Sequence, residues 1–137
     1  MEYEYEFYEA EPKEITEFIA HEFKQDHFEH TNLNRKLYSY SVEYKGKIIA
    51  AGRGSYFGTD CNISEIIITK PHRNKGLGKE ILNRIETLGK LSGCSRVLVD
   101  TYDYQAPDFY LKNGFIEKGR IENYRQKHAR IFFEKKI

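Results

Sequence analysis

Cysteine is scarce in this chain. Cys61 and Cys94 are the only two, and they form no C-x-x-C pair, so neither a disulfide framework nor a structural zinc site is indicated and both are read as reduced thiols. Long apolar runs are missing as well. The N-terminus Met1-Glu2-Tyr3-Glu4 is acidic, and nowhere do about 18 consecutive apolar residues occur. Neither a signal peptide nor a membrane span is expected, and the expected location is the cytoplasm. An excess of one charge is missing too: Lys+Arg 22 against Asp+Glu 21 leaves a net charge of +1. No general field therefore favours nucleic acid or an anionic membrane, and a small-molecule or peptide partner fits better. Linkers, low-complexity stretches and fixed-period repeats are absent. With 137 residues, 39% hydrophobic and 31% charged, the chain suits a single domain over residues 1–137.

What is present is a succession of hydrophobic patterns. Tyr3, Tyr5 and Phe7 alternate with Glu2, Glu4 and Glu6, the period of a strand with one buried face. Beyond Pro12, Ile15, Phe18, Ile19 and Phe23 follow helical spacing and predict a helix to about Asp26. His27 to Lys36 shows no clean period and reads as a loop or a broken second helix. Tyr38 to Tyr44 and Lys47 to Phe57 read as strands joined at Lys45-Gly46, a hairpin signal. After Thr59 and Asp60, the β-branched run Ile63, Ile66, Ile67 and Ile68 predicts a largely buried central strand over Asn62 to Thr69.

The second half is clearer. Leu77, Ile81, Ile85 and Leu88 recur at helical intervals, with Leu82 and Leu91 widening the stripe, and the helix ends near Ser92-Gly93. Arg96 to Thr101 is another buried strand. Pro107 opens a short helix that Asn113-Gly114 ends as a left-handed cap, and Phe115 to Ile121 and His128 to Glu134 are the last strands. The order implies an α/β (α+β) fold with a mixed, mostly antiparallel central sheet and helices on both faces.

Between the isoleucine strand and the strong helix lies Arg73-Asn74-Lys75-Gly76-Leu77-Gly78. A glycine-rich turn that opens a helix aims several backbone N–H groups and the positive end of the helix dipole at one spot, where anions bind. Arg73 and Lys75 add charge. A dinucleotide fingerprint would need a third glycine where Ile81 stands, and a Walker A loop would need Gly at Arg73 and Ser or Thr at Glu80. Both fail. Taken alone, the turn is open to a plainer reading in which the glycines only bend the chain and the cations are solvated.

Its surroundings resemble the GNAT acetyltransferase superfamily. The stretch Ile66-Ile67-Ile68-Thr69-Lys70-Pro71-His72-Arg73-Asn74-Lys75-Gly76-Leu77-Gly78 is similar to that superfamily's apolar strand, short link and Arg/Gln-x-x-Gly-x-Gly/Ala helix start. Downstream, Ala106-Pro107-Asp108-Phe109-Tyr110-Leu111-Lys112-Asn113-Gly114-Phe115 is similar to its Ala-x-x-x-Tyr-x-x-x-Gly-Phe segment. The stretch from Asp100 to Pro107, with Glu122-Asn123-Tyr124 and Lys127-His128, also looks like a subgroup of small bacterial members. The resemblance implies a GNAT-like acyl-CoA N-acyltransferase fold with acetyl-CoA as cosubstrate. The diphosphate would lie on Arg73, Asn74, Lys75, Gly76, Leu77, Gly78 and Lys79, and the pantetheine arm along the backbone of Ile66, Ile67 and Ile68 in a V-shaped gap between that strand and Arg96 to Thr101. Asp103 stands where many relatives have an Asn that helps hold this arm.

The expected reaction is direct attack by a bound primary amine of a small molecule or peptide in a ternary complex. Tyr110 is nominated as proton donor to the departing thiolate, being a phenol at the motif position and protonated at neutral pH. For the acceptor of the amine's proton, Glu65, His128 and a water-mediated route remain open. His21, His27 and His30 lack paired acidic or cysteine ligands, so no metal is expected. The expected partners are acetyl-CoA and an amine acceptor, with no nucleic acid or membrane, and a homodimer is compatible. The alternatives are a non-catalytic acetyl-CoA-binding module and a turn that takes another phosphorylated ligand.

Overall fold

A computed structural model describes residues 5–137. They divide between Asn34 and Arg35 into two compact units, each described by itself. The strand expected over Glu2 to Phe7 falls partly outside the described residues, and within them residues 5–10 hold no strand. Alternation makes a strand only where a neighbouring strand takes up its backbone groups.

In the first unit a single helix, α1, spans Pro12–Thr31. Proline suits the first helical position because its missing N–H would have no partner there. The helix does not stop near Asp26. No Gly or Pro interrupts it, and Phe23 stacks on His27 one turn later, ring centroids 5.8 Å apart. It ends when Asn32 turns left-handed, with φ 59°, and returns its N–H to the Phe28 carbonyl at 2.7 Å. Half of the segment read as a loop or broken helix, His27 to Thr31, is thus the last turn and a half of α1.

The second unit is a six-stranded sheet in the order β1-β2-β3-β4-β6-β5. Its elements are β1 (Lys36–Tyr44), β2 (Lys47–Phe57), β3 (Asp60–Ile68), a 3-10 turn (Lys70–His72), α2 (Leu77–Leu91), β4 (Arg96–Tyr102), α3 (Pro107–Lys112), β5 (Ile116–Tyr124) and β6 (His128–Lys136). Only β3 and β4 pair in parallel; every other neighbour is antiparallel. The β1–β2 hairpin turns at the expected dipeptide, with Lys45 at φ 51° and Gly46 at φ 78°, the two positive dihedrals that a tight two-residue turn needs.

Of the helices expected on both faces, the two of this unit share one. The Tyr56 hydroxyl of β2 reaches the Ile85 carbonyl of α2 at 3.5 Å, and a Cβ on Gly52 would lie 2.8 Å from the Ile81 side chain. The Tyr110 ring of α3 lies 6.0 Å from Phe133 of β6. One apolar cluster joins these groups to Cys61, Ile63, Val97, Val99 and Ile131. Ile81, Leu82 and Ile85 are sealed in it, each burial worth about 1.5–3 kcal/mol. Leu91 does not widen this stripe: it is 80% exposed, because in the last turn of α2 it is Gly89 that turns inward, against Tyr56 and Cys94. Asn113 stays right-handed, and Gly114 alone takes the left-handed position after α3, at φ 90°. No helix among the described residues is long and apolar enough to cross a membrane.

Candidate active site

The parallel pairing of β3 with β4 lasts only from Asp60 beside Arg96 to Ile63 beside Val99. Beyond it β3 follows β2 to Ile68, while β4 follows β6 to Tyr102. The parting coincides with a β-bulge: Arg53 faces Glu65 but Gly54 faces Ile63, so Ser64 is an extra residue on β3. Such a bulge bends its strand and raises its twist. The result is a wedge-shaped opening, part of a cleft of about 780 Å³ that continues to the start of α2 and the flank of α3.

Which groups β3 offers to the gap follows from its register. The Thr69 N–H donates to the Ile49 carbonyl of β2 at 2.9 Å. Alternate residues of an antiparallel strand turn both backbone groups to the same neighbour. Ile67 therefore faces β2, and Ile66 and Ile68 face the gap. Arg73 Nε donates to the Ile68 carbonyl at 2.9 Å, which leaves the Ile66 N–H and C=O and the Ile68 N–H to a ligand. The isoleucine run is buried on one face only: Ile63 is sealed in the core and Ile66 and Ile68 pack against it, but Ile67 is 59% exposed on the other face.

The turn into α2 has a different reason for each glycine. Gly76 takes φ 81° as the N-cap, with open space around it, so it answers a dihedral that other residues resist. Gly78 answers packing, since a Cβ there would sit 3.2 Å from the Phe109 ring of α3. No side chain caps the helix. The first N–H with an intrahelical acceptor is that of Glu80, bonded to the Gly76 carbonyl at 3.1 Å, so Leu77, Gly78 and Lys79 present theirs outward. Arg73, Asn74, Gly76, Leu77, Gly78 and Lys79 line the cleft. Lys75 is not among its lining residues.

Tyr110 also lines the cleft, from α3. Its ring packs edge-on against Phe109 and Phe115, at 5.1 and 5.2 Å, and the residue is only 5% exposed. Among the described residues no group hydrogen-bonds its hydroxyl. Burial, with Asp100 nearby, pushes the phenol up to about 12. The hydroxyl itself is not sealed in, and the cleft is where a partner can reach it.

The acidic candidates separate sharply. Glu65 is held bidentately by Arg53, from Nε and again from a terminal nitrogen at 3.2 Å, and these bonds lower its pKa. Asp103 gives both oxygens to β6, one to His128 Nδ1 at 2.9 Å and the other to the Ala129 N–H at 2.9 Å. It pins β4 to β6, where the resemblance would place a cofactor contact, and His128 is its partner in that pin. Asp100, which no motif singles out, lines the cleft and receives Arg130 Nε on one oxygen at 2.7 Å. The signal that could have found it is its place between buried Val99 and Thr101: alternation points a carboxylate to the opposite face. No three potential metal ligands gather among the described residues.

Residues 2–115 match the acetyltransferase (GNAT) family. The chain is 27% identical to an acetyltransferase structure from Bacillus cereus, with a TM-score of 0.79 over 96% of this chain and 98% of that one. A solved structure from Agrobacterium tumefaciens shares only 13% identity yet the same fold, with a TM-score of 0.87 over 98% and 100% of the two chains. A relative from Oryza sativa subsp. japonica, named as a probable glucosamine 6-phosphate N-acetyltransferase 2, is 32% identical over 59 residues, 42% of this chain and 34% of its own length. The match spans about a third of that relative. With the family match running through both the strand that parts at Ser64 and the turn into α2, the chain belongs to the GNAT acetyltransferase family.

Proposed function

We propose that this chain transfers the acetyl group of acetyl-CoA, the cosubstrate typical of its family, to a primary amine by direct attack in a ternary complex. The observation that carries this reading is the parting of β3 from β4 beside an uncapped helix N-terminus. An extended arm ending in a diphosphate needs a strand edge and an anion site joined in one cleft. The diphosphate rests on the N–H groups of Leu77, Gly78 and Lys79, with Arg73 tying the turn to the end of β3. The pantetheine bonds the Ile66 carbonyl and the Ile68 N–H, and Ile67 contributes nothing through its backbone.

The Ile66 N–H is the first gap-facing donor past the bulge that can receive the oxygen of the tetrahedral intermediate, where charge develops. Tyr110 meets the sulfur. A phenol near 12 is a weaker acid than a thiol of about 8.5, so complete proton transfer from Tyr110 to a free thiolate runs uphill. Its main work is a hydrogen bond to the sulfur as the C–S bond stretches, with the proton following from the attacking nitrogen. Glu65, lowered by Arg53, is a weak base for direct use, because a general base works best near the operating pH. Its part is to order the water that carries the amine's proton away.

The test is thermal unfolding with acetyl-CoA, free CoA or ATP added. Binding to the folded state at about 100 times Kd adds about 2.7 kcal/mol. Acetyl-CoA and CoA are expected to raise the Tm and ATP to leave it nearly unchanged. Stabilisation by ATP alone would replace this reading with a nucleotide site.

A further inference from the structure

The cleft is electrically divided. At the α2 end stand Arg73, Lys79 and the free N–H groups, while the strand walls of the gap carry Glu65 on β3 and Asp100 on β4; α3 adds one charge of each sign, Asp108 and Lys112, and Asp103 just past β4 is taken up by β6. The arginines that partner these carboxylates, Arg53 on β2 and Arg130 on β6, do not line the cleft and approach from the strands outside. A molecule in the gap therefore meets the carboxylates and not their counterions. The two walls differ in what they have left to offer. Both oxygens of Glu65 are taken by Arg53. Asp100 gives Oδ2 to Arg130, and among the described residues its Oδ1 has no hydrogen-bond partner. Arg130 is fixed in turn by the Tyr124 hydroxyl, 3.2 Å from its terminal nitrogen, so Asp100 is a held carboxylate with one open oxygen. Tyr110, buried except for 5%, lines the same cleft from α3 with a hydroxyl that has no hydrogen-bond partner among the described residues, so the reacting sulfur proposed to meet it and the Asp100 carboxylate share one cavity.

We propose that Asp100 binds the distal ammonium of the acceptor, while the amine that attacks stands on the Glu65 side of the gap and sheds its proton to the water ordered there, so that the acceptor is a small diamine or polyamine-like molecule carrying no anionic group. This rests on the acetyltransfer reading above. An acceptor with a carboxylate or phosphate beside its amine brings that anion against two fixed carboxylates, and like charges at such range repel. Asp100 is then the specificity residue of the site, and Arg130 is the residue that positions it.

The experiment measures thiol release from acetyl-CoA with 1,5-diaminopentane, 6-aminohexanoate or glucosamine 6-phosphate as acceptor, in the wild type and in Asp100→Asn and Asp100→Glu. Acetyl-CoA binding is followed in parallel by calorimetry. The diamine is expected to lead both anionic amines by about tenfold or more in kcat/KM, the scale of one charge-assisted hydrogen bond. Asp100→Asn is expected to raise the diamine KM about tenfold with the acetyl-CoA Kd unchanged, and Asp100→Glu to restore part of it. A preference for either anionic amine, no turnover of the diamine, or an Asp100→Asn enzyme with its diamine KM intact overturns this assignment while acetyl-CoA still binds. Failure of acetyl-CoA to bind overturns the acetyltransfer reading itself.

Discussion

Tyr110 joins a packing role to the chemical role proposed for it. Its ring is held by Phe109, Phe115 and Phe133, whereas its hydroxyl bonds no group among the described residues. Tyr110→Phe should therefore leave the urea midpoint within about 0.5 kcal/mol of wild type, while kcat falls about a hundredfold if the phenol assists thiolate departure. An unchanged kcat would reduce Tyr110 to a packing residue. The same phenol has a pH signature. Burial, with Asp100 close by, raises its pKa from 10.0 to about 12, so above pH 10 the unfolded chain releases the proton first. The stability it contributes is complete below pH 10 and is lost as pH climbs through about 12. Burial also raises Tyr38 and Tyr56, which adds to the loss. Alkaline unfolding of the Tyr110→Phe variant should be shallower over that interval, and identical curves would argue against a buried phenol.

Among the elements, β3 sets the geometry, and the glycines beside it respond in a definite order. A Cβ on Gly54 would run into the Asn62 carbonyl and the Tyr38 hydroxyl, backbone and buried ring, neither able to retreat. Gly54→Ala should cost about 3 kcal/mol or more in denaturant unfolding. Gly76→Ala meets no atoms and costs only about 1–2 kcal/mol for its left-handed dihedral; equal losses at the two positions would contradict this packing. Much of this level was legible in the sequence. The Lys45-Gly46 hairpin and the stripe on α2 are local patterns that directly state their dihedrals or their buried face. The bulge at Ser64 carried no such mark, because it is a mismatch of register between two strands and neither strand's own pattern records it. The end of α1 was misread for the opposite reason: a fading apolar period does not stop a helix, and Asn32 does.

Across the whole molecule the net charge of +1 hides a separation of charge within the cleft, cations and helix N–H groups at one end and strand carboxylates at the other. Acetyl-CoA affinity should fall as salt rises from 0.05 to about 0.5 M, since exposed charges are screened over about 10 Å at 0.1 M; a salt-independent Kd would deny the diphosphate its place on α2. The turn proposed to hold the diphosphate was legible because its glycines and the helix that follows lie in one stretch of chain. The acceptor half was not. Arg53 with Glu65 and Asp100 with Arg130 are cross-strand pairs far apart in sequence, and the partners of Asp103 on β6 are likewise distant from it in the chain.

The most direct test of acetyltransfer in the β3–β4 gap is mass spectrometry of the acceptor after incubation with acetyl-CoA, run beside stoichiometric thiol release. The account predicts a product amine heavier by one acetyl group, formed in step with free thiol and slowed sharply in Tyr110→Phe. Thiol release without an acetylated amine, or tight acetyl-CoA binding with neither, would contradict it.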